Sequence, residues 1–229
     1  MKKLVAALLL ALALPAAAIA GDSLIPFKAE YIARWKGRVA GVGELQLEQQ
    51  PDGRWSYSSR VDPRGWARLV PGASQRSVSL FRITDGRVVP ESLVASADEQ
   101  RINYDWSVNR VTGQLGRRRF NLPAQPGLLD ELSVQVALMQ ELLAGRKPEH
   151  FALIDEGRIK DYLYAAEGSE MITSPAGTHR TEIFSSRRPG SRKATYFWCA
   201  PELGYVPLKV ERRDGQDVEW SMSLQNLTR

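Results

Sequence analysis

From Phe27 onward the chain alternates apolar and polar residues with a period of two. In the first run Phe27, Ala29, Tyr31, Ala33 and Trp35 share one side, and mostly polar residues occupy the other. The alternation returns in later segments, at residues 44–48, 55–61, 102–108, 206–210 and 218–224. This period is typical of strands with one buried and one wetted face, so it predicts an antiparallel sheet rather than a parallel sheet covered by helices.

Three Asp-Gly pairs lie between these runs, at Asp52-Gly53, Asp85-Gly86 and Asp214-Gly215. This dipeptide readily accepts the positive backbone angles of a tight hairpin. We therefore expect successive strands to pair antiparallel with their neighbours in the chain.

One segment, from Leu128 to Gly145, breaks the period of two. Its apolar residues instead follow a three-four spacing, which predicts one amphipathic helix with a broad apolar stripe. The stripe consists of Leu129, Leu132, Val136, Met139 and Leu143, widened by Leu128, Leu138 and Leu142. Asp130 or the residues just before it can cap the start, and Gly145 can close the end.

A single helix among many strands restricts the architecture. A sheet of many twisted strands tends to curl, and its concave face must be filled. The sequence therefore predicts a mainly β fold: a strongly curved antiparallel sheet or partly open β-barrel, with the amphipathic helix packed across its concave side or mouth. No composition shift or repeat divides residues 21–229, which we expect to form a single domain.

The first twenty residues differ from the rest in composition. Lys2 and Lys3 precede an apolar run from Leu4 to Leu14, and Ala18-Ile19-Ala20 ends the segment with small residues. This pattern predicts a signal peptide cleaved after residue 20, because the apolar run is too short for a spanning helix. We expect the mature chain to work in the periplasm without a transmembrane anchor. Gly21 in place of cysteine after the cleavage site also argues against a lipid anchor.

Charge and cysteine content exclude some functions. The formal net charge is only +5, and the basic residues are dispersed along the strands, which argues against a nucleic-acid partner. The single cysteine, Cys199, cannot form an internal disulfide and lies in an apolar segment where we expect it to be buried and inert.

Candidate catalytic residues lack the partners that their chemistry requires. Gly21-Asp22-Ser23-Leu24 spells an esterase motif, but neither His150 nor His179 follows an aspartate at the required spacing. Ser133 with Asp130 fits a helix cap better than a nucleophile and its helper. With two histidines and one cysteine scattered along the chain, we expect neither a metal site nor a cofactor.

Two features suggest binding instead. Six tryptophans, most of them on alternating strand positions, belong either to the core or to the lining of a pocket for an apolar guest. We select Trp106, Trp220, Leu132 and Met139 as candidate pocket residues. Arg117, Arg118 and Arg119 form a candidate cationic rim, and a second basic group lies at residues 187–193; the alternative is an ordinary exposed hairpin.

Several short motifs resemble the bacterial family catalogued as domain of unknown function 3108. They run in the family's order along the whole mature region: Phe27-x-Ala29-x-Tyr31, Asp105-Trp106, Asp130-Glu131-Leu132-Ser133, residues 173–178, Trp198, Pro201 and residues 203–210. The resemblance implies a secreted, β-rich envelope protein of proteobacteria, and it supplies no catalytic residues. The expected architecture is also similar to envelope carriers whose unclosed barrels enclose acyl chains, although fold does not fix function.

Three functional hypotheses follow. The first is a non-enzymatic periplasmic protein that binds an apolar or acylated envelope ligand in a groove between sheet and helix. The second is a protein–protein interaction module of the envelope with a packed interior, which would dock through a sheet edge. An envelope hydrolase, with Ser23 or Ser133 as its nucleophile, ranks third.

Overall fold

The computed structural model describes residues 24–96 and 99–229, which form one curved sheet and one α-helix. The predicted signal peptide, Ser23 and Asp98 lie outside the described residues. The strands are β1 (Phe27–Trp35), β2 (Arg38–Gln49), β3 (Trp55–Pro63), β4 (Gln75–Thr84), β5 (Arg87–Ala95), β6 (Gln100–Asp105), β7 (Arg110–Leu115), β8 (Arg118–Pro123), β9 (Leu128–Leu129), β10 (His150–Asp155), β11 (Arg158–Ser174), β12 (Gly177–Arg187), β13 (Lys193–Ala200), β14 (Val206–Asp214) and β15 (Asp217–Thr228).

The sheet is a meander in which almost every strand pairs antiparallel with its chain neighbours. Its order runs from β8 back to β1, continues through β15, and ends at β9. The pairing of β1 with β15 joins the start and the end of the chain in the middle of the sheet. The predicted mainly β fold with a strongly curved, partly open sheet is confirmed.

Strands that alternate in direction place their connections at two opposite ends of the sheet. We name these the Phe27 end, where β1 begins, and the Trp35 end, where β1 ends. The connections β1–β2, β3–β4, β5–β6, β7–β8, β10–β11, β12–β13 and β14–β15 all lie at the Trp35 end.

Helix α1 (Ser133–Leu143) lies inside the curve of the sheet and contacts β4 and β5. It is buried on nearly every side rather than along one stripe, since even Ser133 and Gln140 are buried beside Leu138 and Met139. A helix surrounded in this way acts as a plug. Its main-chain bonds end as expected, with the Gly145 N–H donating to the Leu142 carbonyl.

The predicted cap at Asp130 is confirmed, but the first two residues of the predicted helical segment are not helical. Leu128 and Leu129 form the short strand β9, which pairs parallel with Ala152 and Leu153 of β10. The Asp130 carboxylate accepts hydrogen bonds from the backbone N–H groups of Leu132 (3.0 Å) and Ser133 (2.8 Å), so the helix begins only after this cap. The two leucines that were counted in the helical stripe are therefore buried by strand pairing.

Trp106 is also displaced from its predicted strand. Strand β6 ends at Asp105, and Trp106 lies in the turn that leads to β7, where Asn109 has a positive φ. Among the three Asp-Gly pairs, Asp85-Gly86 forms the expected two-residue hairpin turn between β4 and β5.

The two edges of the sheet, at β8 and at β9, approach each other through side chains. Among the described residues, β8 forms no strand pairing with β9 or β10. The Phe120 ring lies over Gly113 of β7, where an added Cβ would come within 2.1 Å of the ring. The ring also approaches Gly157 in the β10–β11 turn, and Arg118 donates to the Glu156 carbonyl across the same gap. We call this contact the seam.

Candidate functional site

The concave face divides into two halves. Helix α1 covers the half toward the Phe27 end, where Phe27, Leu47, Tyr57 and Phe81 are buried in the main core. We call this the filled half. Toward the Trp35 end the helix is absent, and the inward-facing side chains are half-exposed; we call this the open half.

Small side chains line part of the open half. Alternation along β3 and β4 places Ser59 and Ser77 on the same face as the buried Tyr57 and Phe81, and the two serines are cross-strand partners. On β2 the position of Gly43 is filled by Met222, whose sulfur would lie 3.0 Å from an added Cβ. Ser59 and Ser77 therefore remain the small side chains of this face where the helix is absent.

Three tryptophans and one arginine follow one another across the Trp35 end of this face. Trp35 on β1 is paired with Trp220 on β15 and, on its other side, with Arg38 on β2. The Arg38 guanidinium lies 5.3 Å from the centre of the Trp66 ring, a cation–π contact. We call these four residues the aromatic mouth.

A half-buried cation lies next to the aromatic mouth. Arg212 is the cross-strand partner of Trp220 and donates to the Thr195 hydroxyl at 3.1 Å. Glu211, its chain neighbour, faces the other way and binds Lys209 and Arg213. Within the described residues no carboxylate lies at ion-pair distance from Arg212, so its charge is available to an anionic group.

A polar cluster borders the seam on the same face. The Tyr162 hydroxyl donates to the Asp155 carboxylate at 2.8 Å, and Lys160 binds the same oxygen at 2.9 Å. Burial and the nearby Asp155 charge raise the pKa of Tyr162 above its ordinary value of 10.0, so the phenol stays protonated. A cavity of about 200 Å³ lies here, lined by residues that include Gln100, Leu153 and Tyr162.

This cavity is too small to enclose an acyl ligand. Sites that enclose drug-sized molecules measure about 300–1,000 Å³. A larger apolar guest would therefore have to lie in the open half.

The four predicted pocket residues do not come together. Trp220 lies in the aromatic mouth, whereas Trp106 lies at the opposite end, stacked on Tyr104 and donating to the Pro90 carbonyl at 2.6 Å. Met139 is buried in the main core, and Leu132 packs between the main core and the second cluster around Ile102. Only Trp220 faces the open half.

The three candidate rim arginines have different surroundings. Arg117 is in the β7–β8 turn, Arg118 reaches across the seam to Glu156, and Arg119 follows on β8. All three are exposed at the Trp35 end, where the second basic group, Arg187 to Lys193, forms the β12–β13 connection.

Asp130 and Ser133 form a reciprocal helix cap. The Asp130 N–H donates to the Ser133 hydroxyl oxygen at 2.9 Å, while its carboxylate also accepts from the Ser79 hydroxyl at 2.9 Å. Burial raises the pKa of Asp130, against the opposing effect of these hydrogen bonds. The cluster therefore ties the helix start to β4, and both serine hydroxyls are already engaged.

Among the described residues, Cys199 and possible metal ligands were the remaining candidates for chemistry. Cys199 is fully buried as expected, and burial raises the pKa of its thiol, which keeps it protonated. No group of three or more His, Cys, Asp or Glu side chains in residues 24–96 and 99–229 is placed to hold a metal ion. Within the same residues, no helix is both long and apolar enough to cross a membrane.

Sequence reasoning missed Trp35, Arg38, Trp66 and Arg212 as a group. Their pairing depends on β1 meeting β15, which joins residues nearly a chain length apart. The remaining tryptophans are structural: Trp55 is in the core, and Trp198 lies on the convex face, where its indole N–H donates to Glu170 at 2.8 Å. One signal was available, since Trp66, Leu69 and Val70 are apolar residues in a turn-like segment.

Comparison with known proteins supports the family and the fold. A family model described as "Protein of unknown function (DUF3108)" matches residues 30–216. A β-barrel-like protein of another family of unknown function, DUF1849, from Brucella abortus superposes with a TM-score of 0.56 at 12% identity, covering 89% of this chain and 97% of that one. At this identity the likeness concerns the fold alone.

A second, weaker likeness is to MucB in the MucA/MucB complex of Pseudomonas aeruginosa. The TM-score is 0.38 at 12% identity, with 89% of this chain and 51% of that one covered. No curated protein matches the sequence.

Proposed function

We propose that this chain, which belongs to the DUF3108 family of proteins of unknown function, binds an apolar or acylated ligand of the cell envelope in the open half of its concave face. The protein acts without catalysis, in the periplasm, after removal of residues 1–20. The observation that carries the proposal is the row of half-exposed tryptophans and small side chains where the helix plug is absent.

The lining suits an acyl chain that carries a polar or anionic group. Trp35 and Trp220 offer broad apolar surfaces, and Ser59 and Ser77 add small side chains on the same face. Arg212 supplies an unpaired guanidinium next to Trp220. Ligand sites combine apolar walls with few polar groups that fix orientation, and this arrangement has that character.

Two substitutions on one strand test the proposal. Ser59→Phe adds a ring to the concave face, and Ser58→Phe adds the same ring to the convex face. Saturable binding of a naphthylamine probe, displaced by palmitate, should weaken about tenfold or more in Ser59→Phe and stay unchanged in Ser58→Phe. Equal probe binding by both variants, or no saturable binding by the natural protein, would exclude the open half as the site.

An unpaired strand edge favours a second candidate function, a protein-interaction module. Strand β11 pairs with β10 only as far as Leu163, while it pairs with β12 as far as Ser174. Counting back from the two-residue turn at Pro175 and Ala176, alternate residues direct their backbone groups away from β12. These are Ser169, Met171 and Thr173, and all three are exposed.

An extended peptide could add to this edge as a further strand. Met171→Pro removes an outward-facing N–H, whereas Ile172→Pro removes an inward-facing one and breaks the β11–β12 pairing. Photo-crosslinking from position 169 in intact envelopes should capture a protein, and Met171→Pro should abolish that capture. Capture that persists in Met171→Pro would exclude strand addition at this edge.

A further inference from the structure

The connection between β3 and β4 presents apolar side chains to solvent. It comprises residues 64–74 and contains a short 3₁₀ helix, Gly65–Leu69. Half of the exposed large hydrophobic side chains in the described chain lie in or beside this loop. They are Trp35 (48% exposed), Val39 (48%), Trp66 (36%), Leu69 (85%) and Val70 (48%).

The loop is held in a fixed position. The Arg64 N–H donates to the Ala40 carbonyl at 2.7 Å, and the Trp66 indole N–H donates to the Val39 carbonyl at 3.0 Å. Ala67 is buried beneath the loop. A fixed loop that displays a leucine at its outermost point is unusual for a soluble surface, because exposed apolar patches generally mark interaction sites.

Positive charge surrounds these apolar side chains. Arg64 and Arg68 are exposed within the loop itself, which contains no acidic residue, and Arg38 lies against Trp66. Further exposed arginines lie in other connections at the same end, at Arg117 and in residues 187–192. Acidic residues also lie at this end: Asp62 and Glu219 pair with Arg60 and Lys193, whereas Glu99 and Glu156 are exposed in turns at a distance from the loop along the chain.

The opposite end of the sheet carries charges of both signs. Its connections contain Asp52, Asp85 and Glu202 together with Arg54, Arg146 and Lys147. The exposed apolar loop with its own arginines is therefore a feature of the Trp35 end.

We infer that the Trp35 end docks on the surface of an anionic phospholipid bilayer, with Leu69, Val70 and Trp66 inserted at the level of the headgroups. Tryptophan prefers this interfacial depth, and leucine and valine gain from leaving water. Arg38, Arg64 and Arg68 then face the lipid phosphates. This inference shares Trp66 and Arg38 with the aromatic mouth but does not require a ligand there, and docking would orient the open half toward the membrane.

Co-sedimentation with vesicles tests the docking. The purified chain is mixed with vesicles of phosphatidylglycerol and phosphatidylcholine, and with vesicles of phosphatidylcholine alone. Leu69→Asp should lower partitioning onto the anionic vesicles about tenfold or more, because it removes the most exposed apolar side chain and adds a repelled charge. Val108→Asp, which changes a 62% exposed valine in the β6–β7 turn at the opposite end, is the matched control and should bind normally.

The contribution of the arginines can be tested separately. Replacing Arg64 and Arg68 by Ser should weaken binding to anionic vesicles about fivefold for each residue and reduce the dependence on salt. Equal effects of Leu69→Asp and Val108→Asp, or equal binding to both vesicle types, would overturn the inference. Ser59→Phe should leave vesicle binding intact even where it abolishes probe binding, so the two proposals can fail separately.

Discussion

The filled and open halves of the concave face are built from the same strands and the same alternation, yet they have different environments. In the filled half, Leu47, Tyr57 and Phe81 are buried in one core cluster with residues of α1. In the open half, inward positions nearer the Trp35 end, such as Ser59 and Val61 on β3 and Ser77 on β4, stay half-exposed. The length and position of the plug therefore decide which inward residues become core and which remain accessible.

The largest expected effect lies in the filled half. Leu138→Ala removes a fully buried side chain from the plug and should lower the free energy of unfolding by about 2–5 kcal/mol. Trp220→Ala, in the half-exposed mouth, should cost much less stability while weakening probe binding. Urea denaturation of both variants measures this contrast, and similar losses would show that the two halves are equally packed.

The cap that fixes the plug gives the next effect. Asp130→Ala should cost about 1–3 kcal/mol, because the N–H groups of Leu132 and Ser133 and the Ser79 hydroxyl lose a buried acceptor. Denaturant unfolding gives the value. A change below about 0.5 kcal/mol would mean that water replaces the carboxylate and that the cap does not hold the helix.

The same residue predicts a pH dependence. Because burial raises the pKa of Asp130 in the folded state, the protonated form stabilises the fold. That contribution is complete below the ordinary pKa of 3.8 and is lost as the pH rises through the folded-state pKa. The stability of the natural protein relative to Asp130→Asn should therefore fall over this range and then level off; a relative rise would contradict the assignment.

The seam should show an intermediate effect. Gly113→Ala places a methyl group where the Phe120 ring lies and should cost about 1–3 kcal/mol through overpacking. The double variant Gly113→Ala with Phe120→Leu should recover part of this loss, since the smaller side chain can yield. Additive losses in the double variant would show that the two residues do not contact each other.

The smallest effect lies outside both halves, where His179 binds Glu202 near the tip of the β11–β12 hairpin. The Glu202 carboxylate raises the pKa of His179 above its ordinary value of 6.5. This pair stabilises the fold below that pH, and the stabilisation is lost as the pH rises through the folded-state pKa; it is worth at most about 1 kcal/mol. An NMR titration should show a lower His179 pKa in Glu202→Gln, and an unchanged value would contradict the pairing.

The fold was more predictable from sequence than the site was. Alternation located the strands around Phe27, Trp55 and Val206 because one wetted face leaves a visible period of two. The cap at Asp130 was predicted correctly. Leu128 and Leu129 were assigned to the helical segment because they fit an apolar stripe equally well, and only pairing with β10 makes them a strand. Trp106 was placed on a strand because alternation continues into the turn that ends β6.

The site depends on contacts that no local pattern records. Trp220 was selected as a pocket residue, but its partner Trp35 is joined to it only by the closing pair β1–β15. Leu132 and Met139 were selected for their place on the apolar stripe. Because the helix is buried on nearly all sides, these residues pack in the core instead of lining a pocket. Leu69 is an exception to the expectation that apolar residues are buried, and its exposure is the observation behind the proposed membrane docking.

Fluorine NMR with 5-fluorotryptophan tests the central claim most directly, because it reports on all six tryptophans in one titration. Palmitate should shift the signals of Trp35 and Trp220 saturably and leave those of Trp106 and Trp198 in place. A saturable shift confined to Trp106, or no saturable shift at any tryptophan, would contradict binding in the open half.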